Sequence, residues 1–122
     1  MMVDTIALRE AIQQKLEELH SHVYPKKASA NEFPLYVVYN WTSTDSRPSK
    51  DYSLDIDVWN KSKDETALET LADNIENALD GTVINNERLS VIFYNSSRLN
   101  IPDSEPSISR VRITIDMRVY FK

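Results

Sequence analysis

The stretch Ser53–Gly81 changes its hydrophobic period once, and that change constrains the fold more than any other feature. Leu54, Ile56 and Val58 alternate with Asp55, Asp57 and Trp59. This is the period-2 pattern of a strand with one buried face. From Leu68 the apolar positions become Leu68, Leu71, Ala72, Ile75, Ala78 and Leu79. That spacing is one face of an α-helix. A strand therefore runs directly into a helix, and each has an apolar face that the rest of the chain must cover. Ser62 and Glu65 fit a capping box at the helix start, and Gly81 fits the left-handed position past its end.

The flanking segments supply partners. Residues 4–22 predict a helix with the stripe Leu8, Ile12, Leu16, Leu19 and Val23, capped by Asp4 and ended by Pro25. Leu35–Trp41 and Leu89–Leu99 predict strands that are apolar on both faces at their centres. Ser109–Phe121 predicts the longest strand, with Val111, Ile113, Ile115, Met117, Val119 and Phe121 on one side and Arg110, Arg112 and Arg118 on the other. Thr42–Tyr52 and Asn100–Ser107 are polar, contain proline, and predict long loops. The expected fold is a single α+β domain over residues 1–122 in the order α-β-β-α-β-β. Its four-stranded antiparallel sheet has the order 1-2-4-3, with two helices packed on one face. The two outer strands would then expose apolar edges, which isolated domains usually blunt. Neighbouring subunits are expected to cover them. On this basis Tyr36, Trp41, Ile92 and Tyr94 are candidate interface residues; Trp59 joins them because tryptophan is enriched at interface hot spots, with Arg47 and Lys50 of the polar loop as candidate partner contacts.

Composition removes several function classes. The chain has 122 residues and no cysteine, so disulfides and thiolate metal sites are excluded. The net charge of −5 argues against a protein that grips nucleic acid chiefly through its backbone. A single glycine, at position 81, leaves no phosphate loop, dinucleotide fingerprint or nucleophile elbow. His20 and His22 lie two apart, a spacing that does not share a helical face, so they predict no metal site. No signal peptide or membrane-spanning run is expected. Asp55 and Asp57 share one strand face and raise the alternative of a small metal-dependent nuclease. Pairing with the arginines of the last strand accounts for them better. No cofactor is expected.

Several segments together resemble the tail terminator (tail completion) proteins of long-tailed bacteriophages and prophages. They are the N-terminal helix ending Val23-Tyr24-Pro25, then Phe33-Pro34-Leu35-Tyr36-Val37-Val38-Tyr39, then Leu54-Asp55-Ile56-Asp57-Val58-Trp59. Leu71-Ala72-Asp73 with Ile75 and Leu79, and the arginine-bearing last strand, complete the pattern. The resemblance implies a non-enzymatic structural protein that forms a ring, usually a hexamer, on the end of the tail tube. Such a ring stops tube polymerisation and provides the surface that docks to the head. It implies as partners further copies of the chain, the major tail tube protein and a head-completion protein, with no specific nucleic-acid sequence and no membrane. The implied location is the virion tail, assembled in the host bacterial cytoplasm. A head–tail connector (head-completion) protein and a ferredoxin-like binding module of a bacterial host are the alternatives to this reading.

Overall fold

The computed structural model describes residues 3–25, 34–45, 50–62, 64–103, 105 and 107–122. Helix α1 spans Thr5–Glu17 and buries Ala7, Leu8, Ala11, Ile12 and Leu16. Asp4 caps it, its Oδ1 accepting from the Ala7 N–H at 3.1 Å. The helix stops short of the expected residue 22. The Leu19 and His20 N–H groups both turn back to the Leu16 carbonyl, and Val23–Pro25 forms a short strand, β1. Val23 and Tyr24 favour extended backbone, and Pro25, which lacks an N–H, is tolerated on an edge strand.

The remaining elements are β2 (Leu35–Asp45), β3 (Lys50–Asn60), α2 (Thr66–Leu79), β4 (Val83–Asn85), β5 (Leu89–Ile101) and β6 (Ser109–Phe121). They form one six-stranded mixed sheet in the order β1-β2-β3-β6-β5-β4, with β1 parallel to β2 and the other neighbours antiparallel. This corrects the expected four-stranded antiparallel sheet of order 1-2-4-3. The two added strands are three residues long, too short to show a period in the sequence. They also correct the expectation of bare apolar edges. β1 pairs with Val37–Tyr39 of β2, and β4 with Ser90–Ile92 of β5.

The predicted loops shrink as well. Thr42–Asp45 and Lys50–Tyr52 are paired strand residues, because Thr and Tyr suit a pleated ladder despite the polar composition. β5 runs on through Ile101, with a bulge that places Asn95 at φ 57°. At the start of α2 the capping box does not form. Instead Asp64 Oδ1 accepts from the Thr66 N–H at 3.0 Å, and Glu65 Oε1 accepts from the Ser109 hydroxyl.

The alternation seen in the sequence sets the core. Leu54, Ile56 and Val58 of β3 and Val111, Ile113, Ile115, Met117 and Val119 of β6 are buried. They join one cluster with the apolar stripes of both helices. Each such side chain contributes about 1.5–3 kcal/mol relative to exposure.

The chain is also built twice over. α1-β1-β2-β3 and α2-β4-β5-β6 have the same element order, and β3 and β6 meet antiparallel at the centre. The registers repeat: Leu35 faces Asn60 as Leu89 faces Phe121, and Tyr39 faces Ile56 as Phe93 faces Met117. The halves differ where their connections differ. Asn86 closes the tight β4–β5 turn, accepting from the Arg88 and Leu89 N–H groups, and a turn that short can make only an antiparallel pair. Residues 26–34 allow β1 to lie parallel to β2.

Gly81 sits in a type II turn. Asp80 has φ −61° and ψ 121°, Gly81 has φ +78°, and the Thr82 N–H donates to the Leu79 carbonyl at 2.9 Å. A Cβ at this position meets nothing within 4 Å. Gly81→Ala is therefore expected to lower stability by about 1–2 kcal/mol through backbone strain alone. A urea titration checks this, and a loss well above that range would show that packing is also disturbed.

Candidate interaction face

Both helices cover one side of the sheet, so the other side is open. There the second alternating set of β3 and β6 forms an ion-pair lattice. Asp57 accepts from Arg110 Nη2 at 2.9 Å and from Arg112 Nε at 2.8 Å. Its hydrogen bond to Asp57 raises the Arg112 pKa further. Asp55 accepts from the Thr114 hydroxyl at 2.9 Å, and Arg118 pairs with Asp51 at 3.1 Å. The two aspartates singled out as metal candidates are thus engaged by two guanidiniums and a hydroxyl. Among the described residues no group of three or more carboxylates and histidines is placed to hold a metal ion.

One end of this face carries an aromatic stack. The Tyr36 and Trp59 rings lie 6.1 Å apart and nearly parallel, on the facing pair of β2 and β3. Arg110 lies over Trp59 at 4.7 Å and Lys61 over Tyr36 at 5.7 Å. Tyr24 of β1 meets the edge of Tyr36 at 6.5 Å. Burial raises the Tyr36 pKa. At the corresponding place in the second half, Ser90 faces Tyr120. A serine there leaves Tyr120, Ile92 and Val83 exposed. Val83 and Ile92 face each other across β4 and β5, and Tyr94 lies half-buried two residues along the same face.

The structure therefore brings Tyr36 and Trp59 together at one end, and Ile92 and Tyr94 together at the diagonally opposite corner. Trp41 belongs to neither group. It faces Leu54 on the helix side and packs on the core, with Tyr39 and Tyr52 as ring neighbours. Lys50 opens β3, half-buried, opposite Val119 of β6. Arg47, like Lys26 and Lys27, lies outside the described residues. His20 and His22 sit between α1 and β1, not on a helix. Their rings are 5.5 Å apart, and His20 Nε2 is 2.8 Å from the Leu35 carbonyl oxygen.

The outer face of α2, acidic in the sequence, has a cation in the structure. Arg98 of β5 pairs with Asp73 at 2.8 Å and Glu76 at 2.9 Å. Arg98 lies inside the predicted strand, but the bulge at Asn95 shifts the alternation by one residue and turns its side chain toward α2. Tyr24 and Val83 were missed because they lie on the short edge strands, and Lys61 because its place over Tyr36 depends on the pairing of β2 with β3. No helix of the described residues is long and apolar enough to cross a membrane.

No protein family and no curated protein matches the sequence. Solved structures do match the fold. A chain of the virion of a native gene transfer agent particle shares it with a TM-score of 0.62 at 16 % identity, over 88 % of this chain and 90 % of that one. A second solved chain, which carries no functional name, shares it with a TM-score of 0.76 at 12 % identity, over 99 % of both. At these identities the likeness establishes a common fold, and that fold occurs in the virion of a gene transfer agent particle.

Proposed function

We propose that this chain is a structural component of a phage-like virion and acts as the ring that terminates the tail tube. The observation that carries the reading is the near full-length likeness to a chain of a gene transfer agent virion. The site chemistry supports it. The open face offers aromatic and ion-paired surface suited to protein contact, and its carboxylates are held by arginines, Thr114 and Asn95. In this role the chain assembles with its own copies, probes the end of the tube with one face, and presents the other to the head.

The test is electron microscopy of tails made with and without the protein. Without it, tubes are expected to lose their uniform length, and adding it back is expected to restore uniformity and leave a ring at the tube end. Uniform, head-free tails in its absence would instead make it the head–tail connector. Finished, infectious particles in its absence would remove the virion role altogether.

A further inference from the structure

We infer that the open edge of β5 is a pairing site for a second copy of this chain, and that two free chains join β5 to β5 about a two-fold axis at Leu99. Strand alternation fixes which backbone groups this edge presents. The Phe93 N–H donates to the Thr82 carbonyl and the Phe93 carbonyl accepts from the Gly81 N–H, both on the β4 side. Tyr94 therefore bonds the other way, into β6, opposite Asp116. Every second residue of β6 from Asp116 faces β5, so Thr114, Arg112 and Arg110 are the bonded partners of Ser97, Leu99 and Ile101. Arg98 and Asn100 are left with their N–H and carbonyl groups pointing away from the sheet. β4 pairs only with Ser90–Ile92, and among the described residues nothing bonds those groups. The chain is exposed from Ser97 to Asn100, and Leu99 is 60 % exposed.

The opposite edge of the sheet is closed. The Val37 N–H donates to the His22 carbonyl, so Tyr24 bonds into β2 and Val23 and Pro25 face outward. Gln13 Nε2 takes the Val23 carbonyl at 2.9 Å, and Pro25 has no N–H to offer. Farther along β2, Asn40 Oδ1 takes the Trp41 N–H at 2.9 Å. Devices of this kind keep an edge from pairing with other chains. β5 has no proline between its bulge and Pro102, and its one charge there, Arg98, is drawn to α2.

The open edge fits its own copy. Arg98 and Asn100 lie symmetrically about Leu99. When two β5 strands meet antiparallel, Arg98 of each copy stands opposite Asn100 of the other and exchanges both hydrogen bonds with it. Every outward group then has a partner. Leu99 meets its own counterpart at a non-hydrogen-bonded position, where Cα atoms approach to about 4.5 Å and side chains touch. Ser97 stands opposite Ile101, and no like charges face each other across the ladder. Arg98 offsets Asp73 and Glu76, the acids of α2 that two copies bring toward the joint. β4 stops short of the paired stretch, and Pro102 takes the chain off its line just beyond it. An extended peptide from another protein could satisfy the same groups, but its far side would become a new open edge. A second copy satisfies them without creating one. Such an isologous contact stops at two copies, so it belongs to the free chain and differs from the contact that closes a ring on a tube.

The chain has no cysteine, so introduced thiols report the register. Leu99→Cys is expected to form a disulfide-linked dimer under mild oxidation at high concentration. Ser97→Cys alone is expected to stay unlinked, because its two copies lie out of step by roughly 14 Å at about 3.4 Å per residue. Mixed with Ile101→Cys, it is expected to cross-link. Each variant is first shown to fold by its urea midpoint. Leu99→Cys that links no more than Ser97→Cys alone would overturn the inference, and so would links in Ser97→Cys alone that match those of the mixture. Asn100→Pro removes an outward N–H that the fold does not use, so its urea midpoint should stay close to that of the unaltered chain. Its self-association, measured by sedimentation, is expected to weaken by about tenfold or more. Undiminished association of a folded Asn100→Pro chain would overturn the inference as well, and the cysteine series decides if that variant does not fold.

Discussion

Asp57→Ala is expected to destabilise the fold by about 3 kcal/mol, measured by urea denaturation. Asp57 is largely buried and sits between Arg110 and Arg112, with side-chain exposures of 15 %, 21 % and 36 %. Breaking a buried pair by removing one partner costs about 3–5 kcal/mol, because the remaining charge is left uncompensated. Here two guanidiniums of like charge are left side by side on β6. The partial exposure of Arg112 lets water recover some of the loss, which places the value at the lower end of that range. The double variant Asp57→Ala with Arg112→Ala is expected to cost clearly less than the sum of the single variants, since the second change removes a charge the first has stranded. The same substitution frees Arg110, which lies 4.7 Å over Trp59, so the near-ultraviolet signal of Trp59 should change with it. A loss below about 1 kcal/mol with an unchanged tryptophan signal would show that the carboxylate neither supports the fold nor organises the aromatic stack.

The pairing of Asp57 was legible from the sequence because it depends only on strand alternation. Once Val111 and Val58 face the core, Arg112 and Asp57 must face away from it, and adjacent placement brings them into register. Helical spacing located the apolar stripes in the same way, and the position just past the end of α2 marked Gly81. What was not legible depends on lengths and sterics that alternation does not encode. Val23–Pro25 and Val83–Asn85 are too short to show a period, yet they cover part of each apolar edge and make the sheet mixed. The residues that extend the hairpin of β2 and β3 are polar, and nothing local distinguishes a polar strand held by its partner from a loop. The bulge at Asn95 reverses which residues of β5 face α2, so Arg98 could not be matched to Asp73 and Glu76 by counting. The interface candidates fared according to the same division. Tyr36 and Trp59 sit together because their strands pair in register. Trp41 turned out to face the core, since its position in β2 has the parity of Tyr39.

The internal duplication shows how one architecture serves two surfaces. In the first half Tyr36 fills the space beside Trp59, and Tyr24 and Lys61 close over it. In the second half Ser90 stands at the matching place and leaves Tyr120 and Ile92 uncovered. Two halves with equal registers thus present unequal patches on the same face of the sheet.

Tyr39 sets the largest expected response to pH. It lies 1 % exposed beneath α1, and its hydroxyl donates to Gln13 Oε1 at 2.7 Å. Gln13 in turn donates from Nε2 to the Val23 carbonyl at 2.9 Å, so this phenol anchors α1 to both β1 and β2. Burial raises its pKa to about 12, with nearby Arg9 opposing and Glu17 adding to the shift. Since the folded value lies above the ordinary value near 10, the stability tied to this proton is intact below pH 10. Between pH 10 and 12 the unfolded chain loses the proton while the folded chain keeps it, and stability falls by about 1.4 kcal/mol per pH unit. The loss from this residue amounts to roughly 2 kcal/mol by pH 12 and levels off just above it. Urea titrations at pH 9, 10, 11 and 12 measure it against Tyr39→Phe, which lacks the titrating group. That variant is expected to be less stable by about 1 kcal/mol at neutral pH, because Gln13 Oε1 loses its donor. Across the alkaline range its stability should decline less steeply, with Tyr36 contributing the residual slope. Parallel declines in the two proteins would mean that the phenol of Tyr39 reaches solvent, and that the anchor between α1 and the sheet lies elsewhere.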